Sequence, residues 1–182
     1  MLAKELMTKA IISCTPWDTA RTAANLMKAH DVGAIPVVWD KADPLLEGIV
    51  TDRDLCCSVV ADAINSDALT IFDLMTAVPV TCETESTIEE CEELMQENQV
   101  RRIPVVDVRG RCVGIVTQAD IARHASAAQV QKTIREISNP AKQHQEKSTT
   151  KSYFYCGQTH EQDQILLLNR RRELHRKAEV FL

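Results

Sequence analysis

The chain of 182 residues repeats its own pattern at an offset of 68 residues, and this repeat restricts the possible folds more than any other feature. Three segments recur in the same order: Leu6-Met7-Thr8 as Leu74-Met75-Thr76, Ile35-Pro36-Val37-Val38 as Ile103-Pro104-Val105-Val106, and Gly48-Ile49-Val50-Thr51 as Gly114-Ile115-Val116-Thr117. The offset falls to 66 at the third segment, because the first copy has two extra residues in its Lys41-Ala42-Asp43-Pro44 turn. Ordered matches with one loop-sized slip indicate two copies of one structural unit.

Each copy has the hydrophobic spacing of a β-α-β-β-α unit. The expected helices are Asp18–His30 and Asp52–Ala63 in the first copy, and Ser86–Asn98 and Gln118–Ala125 in the second. Ser86 and Glu89 have the spacing of a capping box at a helix start. A unit of about 55–60 residues is too small to bury both faces of its sheet, so we expect the copies to pack as a pseudo-two-fold pair.

These boundaries predict an α/β (α+β) protein in three parts. Residues 1–67 form the first domain and residues 68–126 form the second. Residues 127–182 supply a C-terminal helix, a polar linker over Lys142–Lys151 and a basic amphipathic tail. We interpret the tail, with its Tyr153–Cys156 aromatic cluster, as a segment that docks on the module or on a dimer partner.

Charge and composition exclude several classes of protein. The net charge is −5, but the first 140 residues carry −8 and the remainder +3. An acidic body argues against nucleic acid as a partner, which requires a basic face. No apolar run is long enough to span a membrane, and the charged Met1–Leu6 start does not resemble a secretory signal, so we expect a cytoplasmic protein.

The order of the repeated segments, Leu-Met-Thr, helix, Ile-Pro-Val-Val and Gly-Ile-Val-Thr-x-x-Asp, resembles the cystathionine-β-synthase-type (CBS) domain in tandem. The resemblance covers roughly residues 2–125. It implies a regulatory module that dimerises and that binds an adenine nucleotide or related adenosyl compound in the clefts between its two copies. AMP, ADP, ATP and an adenosyl thioether all remain open as the ligand, and no cofactor is expected.

Two Thr-x-x-Asp segments, Thr51 to Asp54 and Thr117 to Asp120, lie where a strand leads into a helix. Such a junction can hold a phosphate, and a carboxylate can accept hydrogen bonds from a ribose diol. The same spacing is also typical of an ordinary helix N-cap, and this alternative stays open. By resemblance, both aspartates hold ribose and both threonines hold the ribose–phosphate region.

The resemblance also implies that Thr8 and Thr76 lie near adenine, each supplied by the opposite copy. Hydrogen bonding in a turn is the alternative role for both. The neighbouring backbone positions that the resemblance adds to the two clefts are Ile12, Ser13, Val80 and Thr81.

Arg101 and Arg102 precede the second Ile-Pro-Val-Val strand, where guanidinium groups can bind phosphate bidentately. The first copy has Gly33-Ala34 at this place, although Arg53 could compensate. We therefore expect unequal clefts, with the Thr117/Asp120 cleft the better phosphate site.

Two other functions are weighed against a ligand sensor that acts on a separate, unknown protein. One is a purely structural dimerisation module. The other is a thiol- or metal-dependent enzyme using Cys56-Cys57, or Cys156 with His160. The seven cysteines lack a C-x-x-C motif, and no histidine stands at a recognisable spacing from a thiol, so we expect no enzyme and no metal site.

Overall fold

The structure is a computed structural model that describes residues 1–9 and 11–139. The described part corresponds to a compact unit, Met1–Ser138. The predicted linker, aromatic cluster and basic tail lie outside the described residues. No helix in the described part is long and apolar enough to cross a membrane.

The two copies have the same order of elements. The first contains α1 (Ala3–Leu6), α2 (Ala20–His30), β1 (Ala34–Val38), β2 (Leu46–Thr51) and α3 (Asp52–Leu55). The second contains α4 (Ile71–Leu74), β3 (Thr76–Ala77), β4 (Cys82–Glu83), α5 (Ile88–Asn98), β5 (Arg102–Val106), β6 (Cys112–Thr117) and α6 (Gln118–His124). A further helix, α7 (Ala127–Ile137), follows the second copy.

The strands form two three-stranded sheets, ordered β1-β2-β3 and β4-β5-β6. In the second sheet β4 runs parallel to β5, and β5 runs antiparallel to β6. The first copy reduces its leading strand to Cys14, which pairs in parallel with Val37. The predicted α/β class, built from two β-α-β-β-α repeats, is confirmed.

The leading segment of each copy packs on the other copy. Ala3 and Leu6 of α1 lie in the core of the second copy, together with Ile103 and Val116. Ile71 of α4 lies in the core of the first copy. The β3 strand follows the same rule, since it pairs with β2 rather than with its own sheet. Each core is therefore completed by a segment from the other copy.

Close packing of the exchanged segments explains one glycine in each Gly-Ile-Val-Thr strand. A Cβ atom on Gly114 would lie 2.9 Å from Cβ of Met7, and one on Gly48 would lie 2.8 Å from Sδ of Met75. Real Cβ atoms essentially never approach a neighbour this closely. Glycine at these positions therefore allows each Leu-Met-Thr segment to rest directly on the opposite strand.

Both first helices begin one or two residues later than the sequence suggested. The prediction that Asp18 starts α2 was wrong, because Thr19 is the N-cap and the Asp18 carboxylate accepts a hydrogen bond from Thr15 N at 2.7 Å. In the second copy the capping box uses Thr87 and Glu90. Ser86 is not the cap, because its Oγ accepts a hydrogen bond from Glu83 N at 3.1 Å.

The predicted helix over Asp52–Ala63 ends early. The α-helical turn stops at Leu55 and continues as a π-helical segment over Cys56–Val60. Two β-branched valines close this segment, and such residues have weak helix propensity. Val60 is 72% exposed, so no core contact holds a longer helix in place.

The second copy gains a cover for α5 from α7. Thr133 of α7 is buried, and its hydroxyl donates to Glu92 Oε1 at 3.0 Å and accepts from Gln96 Nε2 at 3.0 Å. Ile137 joins the second core beside these bonds. The bonds anchor α7 on α5 through a buried polar contact.

Candidate functional site

The strand-to-helix junction of the first copy is a closed hydrogen-bonded ring between Thr51 and Asp54. The Asp54 carboxylate accepts from Thr51 N at 3.0 Å and from Thr51 Oγ1 at 2.7 Å. Asp54 N donates back to Thr51 Oγ1 at 3.2 Å. The side chain of Asp54 is buried, so these bonds fix the carboxylate at the start of α3.

The second copy repeats this ring with Thr117 and Asp120. Asp120 Oδ2 accepts from Thr117 N at 2.8 Å and from Thr117 Oγ1 at 2.6 Å. Its Oδ1 forms an ion pair with the guanidinium of Arg123. The N-cap weighed as an alternative is thus present in both copies. A carboxylate has about four acceptor positions, so capping leaves room for hydrogen bonds from a diol.

A threonine from the opposite copy lies beside each ring. Thr8 pairs with Ile115, two residues before Thr117, and Thr76 pairs with Ile49, two residues before Thr51. Thr8 N donates to Ile115 O at 3.0 Å, and Ile115 N donates to Thr8 O at 3.2 Å. Both threonines are exposed. Each cleft therefore has one wall from each copy.

The chain crosses between the two sheets directly after each of these threonines. Ile12 packs against the first core and Val80 against the second. Ser13 and Thr81 are half-buried and immediately precede the cysteines that join the sheets. The backbone positions named with the clefts thus lie on the crossing segments.

One backbone hydrogen bond identifies equivalent charged positions at the two junctions. Asp52 N donates to Gly33 O at 3.2 Å in the first copy, and Gln118 N donates to Arg101 O at 2.9 Å in the second. Arg101 thus corresponds to Gly33, and Gln118 to Asp52. Arg53, beside Asp52, is exposed. The first junction carries an acid where the second is neutral.

Arg102 belongs to the second copy but reaches the first. Its backbone pairs with Thr117 across the second sheet. Its Nη2 lies 3.1 Å from the position that a Cβ atom on Gly33 would occupy. The sequence grouped Arg102 with the Thr117/Asp120 cleft, whereas the structure places its guanidinium at the other junction. No local sequence signal could have indicated this, because it depends on how the copies pack.

The aromatic rings of the described residues form one cluster away from the junctions. Trp17 stacks on Phe72 with ring centroids 6.3 Å apart, and meets Trp39 edge-on at 6.1 Å. The rings lie at the end of the first copy that carries Pro16 and the 40–44 turn. An adenine base in either cleft would therefore be held by aliphatic side chains and backbone.

The thiols do not form a catalytic or metal arrangement in the described part of the chain. No group of three or more Cys, His, Asp or Glu side chains there is placed to hold a metal ion. Burial raises the pKa of Cys14 to about 12 and that of Cys112 to about 11. A hydrogen bond with Cys91, followed by burial, raises the pKa of Cys82. Cys156 and His160 lie outside the described residues.

The sequence profile of the CBS domain matches residues 3–60 and 71–127, which is most of the chain and includes both junctions. The chain belongs to the CBS domain family. The match falls on the two copies that the internal repeat defined, so the resemblance seen in the sequence is confirmed. The finding makes the described unit a CBS pair with one seam cleft at each strand-to-helix junction.

Among relatives of this CBS pair is the hypoxic response protein 1 of Mycobacterium tuberculosis. It is 33% identical over 138 residues, covering 76% of this chain and 94% of that protein. Its crystal structure, which has two coordinated zinc ions, superposes with a TM-score of 0.62 at 35% identity over 69% of this chain and all of that one.

Two solved CBS pairs of similar fold contain adenosyl compounds. CBSX2, a protein of Arabidopsis thaliana, has been solved with AMP. That complex has a TM-score of 0.58 at 26% identity, covering 71% of this chain and 98% of its own. The CBS pair of protein MJ0100 holds 5′-methylthioadenosine and S-adenosylmethionine, with a TM-score of 0.60 at 28% identity over 68% of this chain and 94% of that one.

Proposed function

We propose that this CBS pair is a regulatory module that binds an adenosyl ligand in its two seam clefts. The observation that carries the proposal is the pairing of an exposed threonine from one copy beside the Thr-x-x-Asp ring of the other, in both clefts. Related CBS pairs with AMP or 5′-methylthioadenosine bound support the choice of ligand class.

In this proposal the buried carboxylates of Asp54 and Asp120 accept hydrogen bonds from the ribose hydroxyls. The hydroxyls of Thr51 and Thr117 lie beside them and face the ribose–phosphate link. Thr8 and Thr76 lie on the opposite wall, toward the base. The surrounding groups are assigned as follows: Ile12, Ser13, Val80 and Thr81 line the base, and Arg53, Arg101 and Arg102 face the phosphate.

Regulation follows from the composite walls of the clefts. A ligand that contacts both copies stabilises the packing of the copies in which its contacts are best made. The shift cannot exceed the difference in binding free energy between the two packings. We further propose that the protein acts as a cytoplasmic homodimer, signals to a separate regulated protein, and has no catalytic activity of its own. The nucleotide would be a ligand rather than a cofactor.

Isothermal titration of the purified chain with AMP, ATP and 5′-methylthioadenosine tests the proposal. We expect saturable binding of at least one compound and a matching rise in melting temperature, because a ligand that binds only the folded state stabilises it. Absence of heat, of a thermal shift and of co-purifying nucleotide would overturn the sensor function. That result would favour the structural dimerisation module instead.

A further inference from the structure

We propose that Asp52 is a specificity-determining residue of the first cleft: it competes with a ligand phosphate for the guanidinium of Arg102, and so disfavours phosphorylated adenosyl ligands there. The inference rests on the proposed adenosyl-binding function. It adds a ligand preference for one cleft and a residue that sets this preference.

The position of Gly33 brings the two charged groups together. A Cβ atom there would lie 2.8 Å from Asp52 Oδ2 and 3.1 Å from Arg102 Nη2. The carboxylate and the guanidinium therefore converge on the space that the missing side chain leaves open. Both groups are well inside the Debye length of about 8 Å at physiological salt, so they attract each other.

The other contacts of Asp52 hold it in this place. Its Oδ1 accepts a hydrogen bond from Arg53 N at 2.8 Å, and its own N donates to Gly33 O at 3.2 Å. Oδ2 is thereby directed over Gly33, on the side from which Arg102 approaches. The carboxylate occupies the place beside the guanidinium that a phosphate oxygen of a ligand would take.

The second copy has no counterpart of this competition at the equivalent place. Gln118 replaces the acid, and Arg101 replaces the glycine. A phosphate at the first junction meets the carboxylates of Asp52 and Asp54, whereas a phosphate at the second meets a neutral amide and an added cation. The two clefts therefore differ in their preference for charge, with the uncharged ligand favoured in the first.

The experiment compares two probes of different charge, AMP and the uncharged 5′-methylthioadenosine. Titrations are run on the full chain and on Asp52→Asn, each also in an Asp120→Asn background that removes the proposed ribose contact of the second cleft. We expect Asp52→Asn to raise the affinity for AMP about fivefold, the scale of one exposed ion pair, and to change that for methylthioadenosine less than twofold. Asp62→Asn is the matched control, since it removes an exposed acid in the turn after α3.

A second variant tests whether Arg102 is the group in competition. In an Arg102→Gln background the Asp52→Asn substitution should no longer favour AMP. An unchanged ratio of AMP to methylthioadenosine affinity in Asp52→Asn overturns the inference and leaves the proposed function intact. An equal gain for both probes, or an equal gain in Asp62→Asn, also overturns it. Failure of the wild type and of Asp52→Asn to bind either probe overturns the inference and the proposed function together.

Discussion

Thr8 and Ile115 belong to different copies of the repeat, yet they exchange two backbone hydrogen bonds of 3.0 and 3.2 Å. Thr76 and Ile49 pair at the equivalent place on the other side of the molecule. Each pairing sets an exposed threonine two residues from the start of a Thr-x-x-Asp ring. Cleft and core thus depend on the same exchanged segments, and substitutions there can separate stability from ligand binding.

Gly114→Ala should destabilise the protein. The added methyl group would overlap Met7, and overpacking of this kind costs about 1–3 kcal/mol. The alanine also restricts the unfolded chain, which returns about 0.4–1 kcal/mol, so a net loss remains. Urea unfolding measures the change, with Val108→Ala as the control because Val108 is 98% exposed. A midpoint as high as that of the wild type would contradict the packing described for Met7.

Asp120→Ala should weaken AMP binding by at least about tenfold, because the proposed ribose contact is removed, and a hydrogen bond to a charged group contributes about 1.5–3 kcal/mol. The substitution also removes half of a helix capping box. Ser126→Ala is a matched control, since Ser126 caps α7 in the same copy. It should lose about 1 kcal/mol of stability and keep its affinity for AMP. Equal affinity in Asp120→Ala and the wild type would refute the site assignment.

The thiols should differ sharply in alkylation by iodoacetamide. A raised pKa lowers the thiolate fraction at any given pH, so Cys14, with a pKa of about 12, and Cys112, with a pKa of about 11, should stay unlabelled at pH 8. Cys56 and Cys57 are exposed and should be modified first. Peptide mass spectrometry reads the positions, and labelling in urea is the control that makes every thiol accessible. Rapid modification of Cys14 in the folded protein would contradict its burial.

Thr133→Val should loosen the contact between α7 and α5. It removes the hydroxyl that donates to Glu92 and accepts from Gln96, leaving the buried Glu92 with a missing partner. An unsatisfied buried group costs about 1–3 kcal/mol, which chemical denaturation can measure. Thr133→Ser keeps the hydroxyl and loses one methyl group, at about 0.8 kcal/mol if it packs as tightly. A larger loss in the serine variant would show that packing, and not hydrogen bonding, anchors α7.

The repeat predicted the paired architecture because it required the same elements in the same order twice. The helix starts were less accurate, since both Ser86 and Thr87 can cap a helix. A single local hydrogen bond, from Glu83 N to Ser86, decides between them. The early end of α3 was missed for a related reason: hydrophobic spacing continues past Leu55, but no core receives it.

The composition of each cleft could be predicted only in part. The Thr-x-x-Asp rings are local, and their spacing in sequence indicated them. The reach of Arg102 to Gly33 depends on the packing of two copies 68 residues apart, which no window of sequence reports. The charge at Asp52 was visible in the sequence, but its significance appears only once the guanidinium lies beside it.

The exchange of leading segments has a consequence for folding. Neither copy can complete its core with its own contiguous chain, because Ala3 and Leu6 are needed at one end of the sequence and Ile121 and Ile137 at the other. The native contacts that close each core are therefore non-local, and such contacts slow the search for the native state. A fragment holding a single copy could fill its core only by trading its leading segment with a second molecule.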